Sequence, residues 1–234
     1  MPQGPSRRSL IEQRVRRGRI KIWRFLAPIL GAALVVVLVA LFLSRERLLE
    51  AWYLRALVDG DAPTQERAAR ELVVLKSSRA ASPLFDLVLE EKRGELPDFR
   101  AVSLDARHVF FHALVGLSDA AFPEIRFRLE RGDVEERALA ARVAFSLGAL
   151  ASELVDDLLE AARSDASPSV RVLAILALGQ IGSDSEIALP YLRELRARIE
   201  AGRDKPPPPF EADHSTLLAA ILDEAIERIE GDFD

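Results

Sequence analysis

Cysteine is missing from all 234 positions, which excludes disulfides, thiolate nucleophiles, thiolate-rich zinc sites and the lipid-modified cysteine of many bacterial membrane proteins. The redox compartment stays open. Aromatic residues are scarce, with two Trp and two Tyr, while Ala, Leu, Arg and Glu are abundant; that balance favours helix over sheet. No convincing segment of period-2 alternation occurs anywhere along the chain, so a half-buried strand has no signature here. No Gly-rich phosphate loop appears, and no Ser, His and Asp constellation can be named. Hydrophobic content of 49% is enough for a real core, so disorder is not the default.

A net positive charge is also missing from most of the chain. Residues 1–24 hold seven Arg and one Lys against Glu12, which is +7; the net charge of −5 leaves −12 for the remainder. An acidic body argues against nucleic-acid binding, since neutralising phosphates needs a dense Lys/Arg surface.

One feature is present in full. Twenty uncharged residues run from Phe25 to Ser44 between Arg24 and Arg45, and at ~1.5 Å per residue they match the ~30 Å hydrocarbon layer. No polar stripe interrupts the run. Residues 22–44 therefore predict a transmembrane helix, with Trp23 at its interface and Pro28 in its first turn, where proline costs least. A cleaved signal peptide is the rival reading, but the apolar core is too long and no small-x-small pair follows it. The basic flank 1–21 predicts a cytoplasmic tail by the positive-inside rule. Everything after the span would then be extracytoplasmic, in the periplasm if the organism is a Gram-negative bacterium.

After the span, helical periodicity recurs to the end with short Gly, Pro, Asp and Ser punctuation. The clearest unit is Asp165-Ala-Ser-Pro-Ser-Val-Arg171 followed by VLAILALGQIG, whose Val170, Leu173, Ala174, Ala177, Leu178 and Ile181 form one stripe. Its partner carries Ala188, Leu192, Leu195 and Ile199, with Asp184 or Ser185 as caps and Pro190 near the first turn. Asp61 and Arg67 repeat the six-residue spacing of Asp165 and Arg171. Gly116, Gly148 and Gly179, 32 and 31 residues apart, read as the ends of three first helices. On that register the Arg-to-Gly spacing slips from eight to eleven in the copy containing Gly148. Pro83, Pro123 and Pro190 each open an apolar second helix.

Period and motif resemble HEAT repeats of the HEAT-like, bilin-lyase type, over roughly 61–201. The resemblance implies an all-α solenoid of about four helical hairpins, and hairpins that expose two apolar faces need capped ends. Residues 45–60 form a candidate juxtamembrane cap, with Leu48, Leu49, Trp52, Tyr53, Ala56 and Leu57 on its covering face. Residues 202–210 read as a Pro-rich loop, and 211–234 as a C-terminal cap bearing Leu218, Ile221, Leu222, Ala225 and Ile229.

His108 and His112 share a helical face at metal-site spacing, but Val109 stands where a zincin has its glutamate. HEAT-like deoxyhypusine hydroxylases carry His-Glu pairs; the residues following the histidines here are Val109, Ala113 and Ser215, so that ligand set is missing. The expectation is no enzyme, no metal, no cofactor and no small-molecule ligand, with bilin-lyase-like chemistry as the alternative by fold analogy alone. A protein partner is expected instead. Asp156, Asp157 and Glu160 on one second helix and Arg193 with Arg196 on a later one are the candidate partner-binding residues.

Overall fold

The structure is a computed structural model that describes residues 45–92, 108–202 and 212–231. The chain divides into two compact units, 1–49 and 50–234. The expected span 22–44 and tail 1–21 lie outside the described residues, as does most of the Pro-rich loop.

Among the described residues every regular element is helical. After α1 (45–59) come four hairpins: α2 (Ala62–Val74) with α3 (Ala81–Lys92), α4 (Val109–Leu117) with α5 (Phe122–Arg131), α6 (Val134–Leu147) with α7 (Val155–Ser164), and α8 (Pro168–Ile181) with α9 (Leu189–Glu200). The last helix is α10 (Ala212–Glu230). Local chemistry sets the starts. Asp61 caps α2 by accepting from the Thr64 N–H at 3.3 Å, and Asp133 caps α6 in a reciprocal box with Glu136. Pro63, Pro123, Pro168 and Pro190 sit at the first or second helical position, where a missing N–H leaves no intrahelical bond unmade.

First helices α2, α4, α6 and α8 pack side by side in order, and each second helix lies against the first helix of the next hairpin. α10 follows the same rule: α9 packs on it, and it packs on α8. It occupies the place a fifth first helix would take, and Leu222, Ala225 and Ile229 are buried there. At the other end Leu57 of α1 is fully buried, with Tyr53, Leu54 and Ala56 packed beside it. The covering face is narrower than the sequence suggests, because Leu48 and Trp52 point outward and are exposed.

α6 and α8 are largely buried because neighbours flank them on several sides; eight of the fourteen residues of α6 and nine of the fourteen of α8 are buried. Val134–Ser164 and Pro168–Glu200 are consequently long and apolar enough to cross a membrane by composition, yet 61% and 56% of their most apolar windows is buried inside the stack. Each also contains a turn at a positive-φ glycine, Gly148 or Gly182. They are core helices of the repeat unit.

The register of the repeats differs from the sequence reading. First helices end at Lys76, Ser118, Gly148 and Gly182, all at positive φ, and short 3-10 turns lead to the second helices. Gly116 and Gly179 lie inside α4 and α8 instead. There a side chain would collide with a neighbour: a Cβ at Gly179 would stand 2.8 Å from the Ala225 Cα, and one at Gly116 would stand 2.9 Å from Cγ1 of Val73. With Gly182 as the true end, eleven residues separate Arg171 from it, as eleven separate Arg137 from Gly148, and the apparent slip disappears. The Asp61–Arg67 echo is likewise not an equivalence, since Asp61 caps α2 whereas Asp165 precedes the Ser167 cap of α8 by two residues. Ser185 does not cap α9. Its buried hydroxyl donates back to the Leu178 and Gly182 carbonyls at 2.7 Å.

Candidate interaction surface

Counting from the prolines that open second helices, Val88, Arg128 and Leu195 fall five residues after Pro83, Pro123 and Pro190. Val88 is fully buried and Leu195 packs against the core, so α5 carries a cation at a core position. Arg128 is only 8% exposed. Its Nε donates to Glu124 at 2.7 Å and Nη2 to Asp86 at 2.9 Å and Ser82 at 3.1 Å, while Nη1 donates to Glu136. The guanidinium also lies 5.5 Å from the centre of the Phe85 ring. Burial works against its charge, but the hydrogen bonds to Glu124 and Asp86 outweigh that penalty and hold the pKa above the ordinary arginine value. One oxygen of Glu136 serves Arg128 and the other closes the α6 capping box on the Asp133 N–H at 2.7 Å. A single side chain thus ties three hairpins together. Sequence reasoning missed it, although an arginine at an otherwise apolar repeat position was the available signal.

The next junctions use arginine again. Arg137 of α6 donates to both oxygens of Asp165, at 2.7 and 3.1 Å, and to the Gly132 carbonyl at 2.8 Å. The hydrogen bond to Asp165 keeps the Arg137 pKa raised despite partial burial. Arg126 of α5 reaches Asp157 of α7 at 3.0 Å and the Glu153 carbonyl at 2.6 Å.

These contacts frame an open groove of about 420 Å³ between α5 and α7, with Arg126, Glu130, Asp157 and Glu160 among its walls and Leu129 and Ala161 supplying apolar surface. Two of the three candidate acids of α7 therefore face the groove. Asp157 is engaged by Arg126, and Glu160 accepts from the Ser164 hydroxyl at 2.8 Å. Asp156 is exposed but is not a groove-lining residue. Arg193 and Arg196 belong to a different place: both pair with α10, Arg193 with Glu230 and Arg196 with Asp223 through two hydrogen bonds at 2.7 and 3.1 Å. The Asp223 hydrogen bond raises the Arg196 pKa. The structure does not join the acidic and basic candidates into one patch.

His108 is the N-terminal flanking residue of α4 and lies 3.2 Å from Glu91 through Nδ1. His112 is exposed one turn later. Among the described residues no group of three or more His, Asp or Glu side chains is placed to hold a metal ion.

Stacked antiparallel helix pairs, each leaning on the next and closed by terminal helices, define an α-solenoid type of repeat protein. Residues 128–202 match the family model of HEAT repeats, a stretch that begins within α5 and ends just after α9. No curated protein and no solved structure matches the chain. HEAT-type stacks present extended surfaces that generally serve protein–protein contact.

Proposed function

We propose that this chain is a membrane-tethered scaffold, in which residues 22–44 anchor an extracytoplasmic helical stack whose second-helix side docks another membrane or envelope protein. The observation that carries the docking role is the groove between α5 and α7, which is open and walled by charged side chains already paired within the fold. Such walls offer shape and charge to a partner surface without a reactive group held apart for chemistry. On this reading the protein has no enzymatic activity of its own. The anchor is supported by the uncharged run 25–44 and its basic flank; tethering raises local concentration, so modest affinity suffices.

Two measurements test it. A topology reporter fused after Asp234 is expected to be active outside the cytoplasm, and the full chain is expected to resist alkaline carbonate extraction; reporter activity inside, or a protein that washes off, would overturn the anchored orientation. Crosslinking in intact membranes with a photoreactive residue at Ser164, on the groove wall, is expected to capture a protein, with Glu130→Lys and Glu160→Lys together abolishing that product. Capture of small molecules in place of protein would favour the lyase-like alternative.

A further inference from the structure

The two helices that close the stack do the same structural job but present opposite outer surfaces. Beyond Leu217, the exposed positions of α10 are Ala220, Glu224, Glu227 and Glu230, the acidic, solvated face expected of a terminal cap. The exposed positions of α1 after residue 50 are Ala51, Trp52, Arg55, Val58 and Asp59. Trp52 is 58% exposed and Val58 64%, while Leu57, turned the other way, is fully buried. α10 leaves one large apolar side chain partly in the open, Leu217 at its start, whereas α1 leaves Trp52 and Val58 together on one outward face. α1 is also the cap that follows the uncharged run ending at Ser44, eight residues before Trp52.

We infer that the outward face of α1 is seated on the bilayer surface, with the Trp52 ring at the boundary between headgroups and acyl chains and Arg55 at the lipid phosphates. A helix that lies in the interface carries Trp and aliphatic residues on its buried side and cations beside them, which is the pattern Trp52, Arg55 and Val58 make. Arg55 has 84% of its side chain exposed and pairs with Asp59 only at 3.4 Å, so it is available to a phosphate. The acidic outer face of α10 has no such complement. The geometry is demanding: an upright α1 would lift Trp52 ~12 Å past the end of the uncharged run, beyond a headgroup layer of roughly 5–8 Å. Seating requires α1 to lie along the membrane plane, which fixes which side of the repeat stack faces lipid. It rests on the anchored reading proposed above.

Trp23→Phe leaves Trp52 as the sole tryptophan of the full chain, which can be reconstituted into vesicles of phosphatidylcholine and phosphatidylglycerol. Expected are a blue-shifted emission and strong quenching by lipids brominated near the carbonyl end of the acyl chain, weaker when bromine is near the methyl end. In the Trp23→Phe/Trp52→Phe background, a tryptophan introduced by Val58→Trp is expected to be quenched too. One introduced by Ile187→Trp, at an exposed apolar position in the last hairpin, is expected to stay unquenched. Water-like, unquenched Trp52 emission from protein that floats with the vesicles would overturn the seating while leaving the anchor intact. Blue-shifted emission without quenching, varying with the protein-to-lipid ratio, would overturn it in favour of a second copy of the chain. Protein that fails to float removes the anchor and the seating together.

Discussion

Ser118 stands in nearly the same backbone conformation as Gly148, with φ 53° and ψ −127° against 56° and −134°. Both end a first helix, and so does Gly182 at φ 79°. L-residues pay of order 1–3 kcal/mol in such regions, whereas glycine pays a smaller chain-entropy penalty of roughly 0.5–1 kcal/mol. Ser118→Gly is therefore expected to stabilise the protein by about 1 kcal/mol, read as a higher urea midpoint with an unchanged slope. Glycine also has a second use here, and the two can be separated. At Gly179 the obstacle to a Cβ is backbone of α10, so overpacking of about 1–3 kcal/mol exceeds the roughly 1 kcal/mol of helix propensity that alanine adds. Gly179→Ala should lower stability by about 1 kcal/mol on the balance of those terms. At Gly116 the obstacle is a methyl of Val73, a β-branched side chain with one favoured helix rotamer and packed on the core, so Gly116→Ala should also lower stability, by about 1 kcal/mol in the same titration. This double use is why glycine spacing in the sequence misplaces the repeat boundaries. A glycine that ends a helix and one that lets helices touch look alike in a string of letters, and Ser118 occupies an end position without being glycine at all.

At the scale of elements, most of the plan is legible beforehand. Pro83, Pro123 and Pro190 mark three of the second helices, the caps at Asp61 and Asp133 go unread, and the buried stripe of α8 contains all six residues the periodicity picks out. The junctions are not legible, because they depend on which side chains meet across hairpins. Arg193 and Arg196 look like a basic patch in sequence, and only the return of α10 gives them Glu230 and Asp223. The Arg128 hub is the strongest case. Removing the cation by Arg128→Met would fill the site with apolar bulk but leave Glu124, Asp86 and Glu136 facing one another, a loss of about 3–5 kcal/mol. Adding Glu124→Gln and Asp86→Asn should recover a large part of it, which a denaturation cycle over the four proteins would show; no recovery would mean that packing and not charge sets the cost. The pH behaviour follows from the direction of the shift. A raised arginine pKa means the hub contributes fully below the ordinary arginine range, loses that contribution as pH rises through the folded-state value, and has none left above it. The stability gap between native protein and Arg128→Met should accordingly be the same in neutral and mildly alkaline buffer.

For the whole repeat unit, closure at the ends decides whether the stack is a stable object. α10 covers α8 and α9 with Leu222, Ala225 and Ile229, and burying a large aliphatic side chain is worth about 1.5–3 kcal/mol. A chain ending at Gly202 would expose that surface and release Arg193 and Arg196 from their partners. It is expected to unfold at a markedly lower temperature and to associate in light scattering, whereas Arg196→Ala in the full chain should cause only a small, salt-dependent loss, because its partner Asp223 is itself half exposed. The proposed membrane attachment belongs to this scale too, and it rests on the uncharged run 25–44 and its basic flank.

The polar junctions have a consequence for how such a protein can change. Arg128 with its three carboxylates, Arg137 with Asp165, and Arg196 with Asp223 are each used once, at successive seams. Hairpins with purely greasy seams could be duplicated, deleted or shuffled freely, but here every module carries a key cut for one neighbour. Copying the α6–α7 hairpin in tandem would set Glu136 of the second copy beside α7 of the first, where Ala161 stands at the position that Arg128 holds in α5. Lengthening this array by repeat duplication would therefore need compensating changes at each new seam.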